Sequence, residues 1–480
     1  MIFSFFKKLP ALPALRFHNT LSGEREVFVP LLPGQVKMYN CGPTPYDRQH
    51  IGNLFPPVVV NVLRRTLEIW GHRVKQVTNI TDFGHLTSDA DEGEDKMTKG
   101  LKREGLALTH ENMRVLAEKY TKIFLEDLRL LGVDTNSITF PRASDYIPDQ
   151  IALIKTLEEK SYAYKTKNGV YFDISRFPGY GKLGGINLAG LKEGARVEKN
   201  LEKRNPFDFA LWKLNRKLGW ESPWGKGFPG WHIECTAMIF KLLGKQIDIH
   251  TGGIEHIPVH HNNEIAQAES ATGKQYVRYW LHNAHITIEG KKVAKSLGNT
   301  IYLSQIIDRG LSPLVLRYWY LTGHYRTPMN FTWEALEGAS QALTRLTRLY
   351  LEFDTRKETA DKAFLKDFYA AMANDLDTPK ALARVWELVK DNTLSPATKR
   401  ASLLEADKIL GLGLSDERPM QKLAVIPESK LPGEVQKLLL EREVARADKD
   451  FTKADTLRGQ VETLGYTIKD TPEGPRVSKN

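Results

Sequence analysis

From Val27 to Asn40 the chain carries apolar stretches broken by Pro30 and by Pro33-Gly34. The second stretch, Val36-Lys37-Met38-Tyr39, predicts a strand that ends at Cys41 and the Gly42-Pro43 turn. A helical pattern follows from about Gly52 to Trp70. Pro56 and Pro57 fall in its early turns, where proline is best tolerated, and Gly71 suits its C-terminal cap. Arg73 to Ile80 reads as a second strand, so strand, turn, helix and strand make a βαβ unit. Asp82 to Lys96 is acidic and Gly-containing and predicts a loop. Residues 107–131 read as helix. Residues 141–225 mix short strands with Gly- and Pro-rich turns, as an insertion does. Ile247-Asp248-Ile249-His250 alternates and predicts a strand leading into a Gly252-Gly253 turn. Past Thr332, Leu336, Ala339, Leu343, Leu346 and Tyr350 follow helical spacing, which continues to about Leu410. Ser415 to Gly433 is polar, is interrupted by Pro419, Pro427 and Pro432, and reads as a linker. Charged helices follow around Glu441–Asp448 and Lys453–Leu464, then Gly465 and a short strand. There is no internal repeat and no low-complexity tract.

Composition narrows the class. The 480 residues suggest three domains, taking about 150 residues per domain. At 41% hydrophobic and 26% charged the chain is ordinary globular material. A net charge of +10 favours a polyanionic partner, nucleic acid first. Two cysteines far apart form no secreted disulfide framework, which fits a cytoplasmic protein. Met1 to Pro10 is apolar but short. Its lysines follow the apolar residues and no small-residue cleavage site is evident, so it reads as a leader that is disordered or packs on the surface. No run of about 18 apolar residues offers a membrane span.

Three constellations carry chemistry. Cys41 and Cys235, with His260 and Glu264, offer two thiols, an imidazole and a carboxylate. Zinc takes these donors, usually four in number. His260 and Glu264 at i, i+4 would share one helical face, while His261 would point elsewhere. The alternative for the cysteines is a pair of buried free thiols. Seven of the 13 histidines lie between His232 and His285, which suggests a polar site; each alone reads as an ordinary hydrogen-bonded or surface histidine, and most are expected to be that. The second constellation is His50-Ile51-Gly52-Asn53 at the predicted helix start, where free N–H groups and the helix dipole favour phosphate. Alone it is also a plain helix start. The third is the lysine-rich Lys291 to Asn299, either a phosphate clamp or a solvated basic loop.

Taken in order, these segments resemble the cysteinyl-tRNA synthetase family of class I aminoacyl-tRNA synthetases. Cys41-Gly42-Pro43-Thr44 through His50-Ile51-Gly52-Asn53 resembles the first family signature, and Lys292 to Ser296 the second, the KMSKS loop. Asn79 to Asp82, Asp208 to Lys213, Gly230 to Cys235, His260 to Glu264, Ala371 to Pro379 and Arg446 to Gly465 are similar to further family blocks. The resemblance implies an α/β fold: a Rossmann-type parallel-sheet catalytic domain with an insertion, then a helical bundle and a small C-terminal α+β domain. In this numbering it implies a leader (1–14), a catalytic first half (15–140), an insertion (141–225), a second half (226–330), a bundle (331–414), a linker (415–433) and an anticodon-binding domain (434–480). It further implies that Cys41, Cys235, His260 and Glu264 hold one Zn2+ that binds the thiol of substrate L-cysteine. Thr81, Trp231, Gly42 and Thr44 line the amino-acid pocket. His50, Gly52 and Asn53 contact ATP, supplied with Mg2+, and Lys292 and Lys295 grip its phosphates. The partner is tRNA(Cys), and the chain is expected to act as a monomer.

The chain departs from the family pattern at named places. Val293-Ala294 stands where Met and Ser are usual, Asn53 where a second histidine is common, and Glu255 where Asp is common. Phe83 to Lys96 is longer than in many members, and Gly474 to Val477 lacks an expected tryptophan. Two rivals share the features: a ligase joining cysteine to an amino sugar in mycothiol synthesis, which lacks a full anticodon-binding region, and an inactive RNA-binding paralogue.

Overall fold

The computed structural model describes residues 12–83, 96–186, 202–215, 218–293, 299–414, 431–471 and 474–479. Most of the leader, the acidic loop after Phe83, Lys295 and most of the linker lie outside the described residues.

A five-stranded parallel sheet forms the centre. Its spatial order is Val277–Asn283, Ile247–Gly253, Gln35–Asn40, Arg73–Thr78, Ile138–Thr139. The chain leaves Gln35–Asn40 toward one side, through the Ile51–Ile69 helix to Arg73–Thr78, and later returns on the other side as Ile247–Gly253. Open α/β sheets bind ligands at such a switch point, beyond the carboxyl ends of the strands. The Ile51–Ile69 helix buries Leu54, Phe55, Val58 and Val62 on one stripe against this sheet and its neighbours. It ends where Gly71 takes φ +83, a left-handed conformation that glycine adopts without a Cβ penalty.

The Ile247 strand does not turn at its glycines. It continues through Gly252 and Gly253, which pair with His282 and Asn283. Gly252 is needed for space rather than for a turn, since a Cβ there would stand 2.6 Å from His261 Cε1.

The inserted region forms a separate antiparallel sheet, Ala163–Lys165, Gly169–Phe172, Phe209–Leu214 and Gly227–Pro229. Its last strand runs past residue 225 and delivers the chain directly to the Trp231–Leu242 helix.

Four helices follow: Trp333–Glu352, Lys362–Ala373, Thr378–Lys390 and Pro396–Leu410. Each starts at a side chain that accepts an amide of its first turn, from Thr332, Asp361, Asp377 and Ser395 respectively. Buried Arg317 joins this bundle to the sheet domain by donating to Leu410 O, Leu131 O and Asn61 Oδ1 at 2.7, 2.9 and 2.9 Å. The last unit has helices Gly433–Ala447 and Phe451–Thr463 and a hairpin, Tyr466–Thr471 with Gly474–Lys479. The first of these helices starts earlier than its charge pattern suggested, and the second hairpin strand is an addition. Among the described residues no helix is long and apolar enough to cross a membrane.

Candidate metal and nucleotide site

The candidate ligands come from four different elements. Cys41 directly follows the Gln35–Asn40 strand, and its amide extends the sheet ladder to Thr251 O at 3.1 Å. Gly42 lets the next turn run against its neighbour, because a Cβ would lie 1.7 Å from Asn79 O. Cys235 sits one turn into the Trp231–Leu242 helix, whose cap residue Gly230 approaches Ala210 O so closely that a Cβ would stand 2.0 Å away. His260 lies in a π-helical turn, Ile257–His261, and Glu264 in the first turn of the Asn262–Thr272 helix.

These elements bring one donor atom each from Cys41, Cys235, His260 and Glu264 within 4.8 Å of one another. Cys235, His260 and Glu264 are buried and Cys41 is half-buried. A second set, Cys41, His250, His261 and Glu264, meets the same distance criterion. His261 therefore does not point away from His260: its Nε2 is 3.3 Å from Cys41 Sγ. The cause is the π turn, whose wider spacing lets two successive imidazoles approach one point.

Hydrogen bonding separates the two sets. His250 Nε2 lies 3.1 Å from Glu264 Oε2, and His261 Nδ1 lies 2.7 Å from His282 Nε2, which in turn has Thr20 Oγ1 at 2.8 Å from its Nδ1. His260 Nε2 and Glu264 Oε1 are 3.1 Å apart, yet among the described residues neither has an aligned hydrogen-bond partner. The other nitrogen of His260 is oriented by His232 Nδ1 at 2.9 Å. Trp231 sets a ring edge against His260 at 4.6 Å, and Lys96 Nζ lies over the Trp231 ring at 5.6 Å.

The electrostatics favour a cation. Contact with Cys235 brings the Cys41 thiol down to about 6 despite burial, with His260 assisting. Burial pushes the Cys235 thiol well up, and its contact with Cys41 adds to that. Burial opposes ionisation of Glu264, but His250 and His260 outweigh it and lower its carboxyl to about 2. Burial likewise opposes a charged His260, but Cys41 and Glu264 raise it to about 10. A thiolate and a carboxylate thus converge, with the His250 and His260 imidazoles set against them.

The amino-acid-pocket candidates adjoin this cluster. Gly42 N donates to Asn79 Oδ1 at 2.8 Å, and Thr81 Oγ1 donates to Glu234 Oε1 at 2.7 Å. Trp231 and Thr44 are half-buried, and Thr44 O accepts from Tyr46 N at 3.0 Å. On the nucleotide side, His50 caps the Ile51–Ile69 helix, its Nδ1 accepting from Gly52 N at 3.1 Å. Asn53 is exposed. The two ends of the lysine segment flank this helix start. Lys291–Lys292 pairs with Ile286–Ile288, Val293 Cγ2 would lie 4.0 Å from a Cβ on Gly52, and Ile51 N donates to Ile301 O at 2.9 Å. Gly52 and Lys292 are thereby brought to one corner; Lys295 is outside the described residues. His250, His261, Asn79 and Glu234 were not singled out from sequence. The density of histidines after His232 was the only signal for the first two.

Comparison with known proteins fits this geometry. Residues 27–341 match the family model for the class I (C) tRNA synthetase catalytic domain. Residues 428–476 match the cysteinyl-tRNA ligase anticodon-binding domain. The chain is 46% identical over 470 residues to cysteine–tRNA ligase 1 of Burkholderia lata, covering 96% of each chain. It is 44% identical over 483 residues to a cysteine–tRNA ligase of Thermus thermophilus, covering 96% of this chain and 98% of that one. The methionyl-tRNA synthetase of Mycobacterium tuberculosis, solved with methionyl-adenylate, shares the fold at TM-score 0.54 and 13% identity, covering 81% of this chain and 93% of that one. The two family matches and the near full-length identities lead to one assignment: the chain belongs to the cysteine–tRNA ligase family of class I aminoacyl-tRNA synthetases.

Proposed function

We propose that this protein activates L-cysteine with ATP and transfers it to tRNA(Cys). The observation that carries the reading is the convergence of Cys41, Cys235, His260 and Glu264 within 4.8 Å of one another. The donor set fits Zn2+. Two thiols, one imidazole and one carboxylate are zinc donors. Among the described residues the buried His260 Nε2 and Glu264 Oε1 have no aligned hydrogen bond, so both atoms are open to a metal once His260 gives up its proton. The His250–His261 set fits less well, since His250 Nε2 already has Glu264 Oε2 as a partner at 3.1 Å. When bound, zinc supplies a soft acceptor for the substrate thiolate, which serine's hard hydroxyl cannot match.

The chain's own groups then position the reaction. Thr81, Trp231, Gly42 and Thr44 surround the amino acid. Nδ1 of His50 accepts from Gly52 N, which fixes the neutral ring with its proton on Nε2. That N–H can donate to an ATP phosphate at a helix N-terminus already favourable to anions. Gly52 and Asn53 complete that contact, and Lys292 and Lys295 stabilise charge on the phosphate oxygens, with Mg2+ accompanying the nucleotide. A carboxylate oxygen of cysteine bonds to the α-phosphorus, the bond to the bridging oxygen breaks, and pyrophosphate leaves. A terminal ribose hydroxyl of tRNA then attacks the carbonyl carbon and AMP leaves. Orientation and charge stabilisation carry both steps.

The match of residues 428–476 to an anticodon-binding domain favours tRNA over an amino sugar as acceptor. Incubation with labelled cysteine, ATP and tRNA(Cys) should yield acid-precipitable counts that base hydrolysis releases. Formation of adenylate without transfer to tRNA, but with transfer to an amino sugar, would assign the protein to the other ligase.

A further inference from the structure

A chain of hydrogen bonds crosses from one cysteine-bearing segment to the other. Gly42 N, next to Cys41, donates to Asn79 Oδ1 at 2.8 Å. Asn79 Nδ2 donates to Thr81 Oγ1 at 3.2 Å, and Thr81 Oγ1 donates to Glu234 Oε1 at 2.7 Å. Glu234 directly precedes Cys235 and is fully buried. Thr81 is held in place independently, its amide donating to Pro43 O at 3.1 Å.

The direction of these bonds matters. A hydroxyl has one proton and two lone pairs. A carboxylate only accepts, so Glu234 takes the Thr81 proton. The Asn79 amide occupies one lone pair. What remains on Thr81 Oγ1 is a single acceptor position, which suits an ammonium and repels a carboxylate. We propose that Glu234 is a positioning residue that fixes the Thr81 hydroxyl as an acceptor for the substrate's α-ammonium. The inference rests on the reading of Thr81 as part of the cysteine pocket. It assigns Glu234 a role apart from the metal, although it neighbours Cys235.

Two ligands separate this role from a merely structural one. L-Cysteine carries thiol, carboxylate and ammonium, whereas 3-mercaptopropionate lacks only the ammonium. Both are titrated calorimetrically into the metal-loaded full chain. Wild-type protein should bind cysteine more tightly than 3-mercaptopropionate. Glu234→Gln should weaken cysteine by roughly tenfold or more, the range for a hydrogen bond to a charged group. It should leave 3-mercaptopropionate within about twofold and metal content unchanged. Thr81→Val, nearly isosteric, should reproduce the selective loss, and adding Glu234→Gln to it should weaken cysteine no further. The idea is overturned if both ligands weaken together, if the two losses add, or if the wild type shows no preference for cysteine. Pyrophosphate exchange run in parallel keeps the two ideas apart. Exchange without ammonium preference sinks the role of Glu234 alone, whereas neither exchange nor binding sinks the underlying reading.

Discussion

The candidate metal pocket and the His50 helix start are built in opposite ways. At His50 the decisive contact is local: the imidazole accepts from the amide two residues later and sits against a backbone end. In the pocket the contacts span long sequence distances, Cys41 to His261 and His282 to Thr20 among them. The pocket is buried, while Asn53 at the helix start is exposed. On the proposed function the difference separates two tasks. Selecting a small amino acid needs donors fixed before the ligand arrives, whereas gripping a triphosphate uses a helix end and cationic side chains.

Substitutions should reveal that division. The largest effect is expected from Cys235→Ser. It should abolish stoichiometric metal, checked by elemental analysis, and lower kcat/KM for cysteine about a thousandfold or more, since ligand and specificity are lost together. The KM for ATP should stay within about threefold. Normal metal content in that variant would remove Cys235 from the ligand set.

At the helix start the order reverses. His50→Ala and His50→Asn should each lower the exchange kcat about a hundredfold by removing a donor to the phosphates, with metal content intact. Asn is a good N-cap, so only His50→Ala should also lower the thermal midpoint, a cap being worth about 1 kcal/mol. Loss of metal in either variant would tie the helix start to metal binding and undo the division.

His261→Ala should be milder, lowering metal affinity about tenfold to a hundredfold as an outer support of Cys41. Complete metal loss there, with His260→Ala retaining metal, would favour the second ligand set. The smallest effect is expected from Val293→Met, which restores the usual family residue. It should change exchange rates no more than about threefold, because Val293 is a partly buried apolar residue that packs against the core near Gly52, a place methionine can also fill.

The same contrast explains what could be read from the chain. The strand to Tyr39, the proline-tolerant helix and the glycine at its end follow from local preferences, and all lie where the pattern placed them. The candidate donors were visible as two scarce cysteines and clustered histidines. Their companions were not. His261 was misread because helical spacing assumes 3.6 residues per turn, and a π turn breaks that assumption. Gly252-Gly253 looked like a turn because sequence shows glycine's freedom but not the imidazole that requires the space. Glu234 resembled any helical glutamate, since its partner Thr81 lies far away in the chain. The second strand of the final hairpin, in which Val477 is buried, was missed because Gly474-Pro475 reads as a turn.

The central claim is that a metal held by Cys41, Cys235, His260 and Glu264 selects a thiol for adenylation. Cysteine-dependent ATP–pyrophosphate exchange tests it most directly, run beside serine, before and after chelation and with zinc restored. The account expects exchange with cysteine that chelation removes and zinc returns, and a rate with serine lower by about ten-thousandfold or more. Exchange that survives complete metal removal, or that serine supports as well as cysteine, would contradict it.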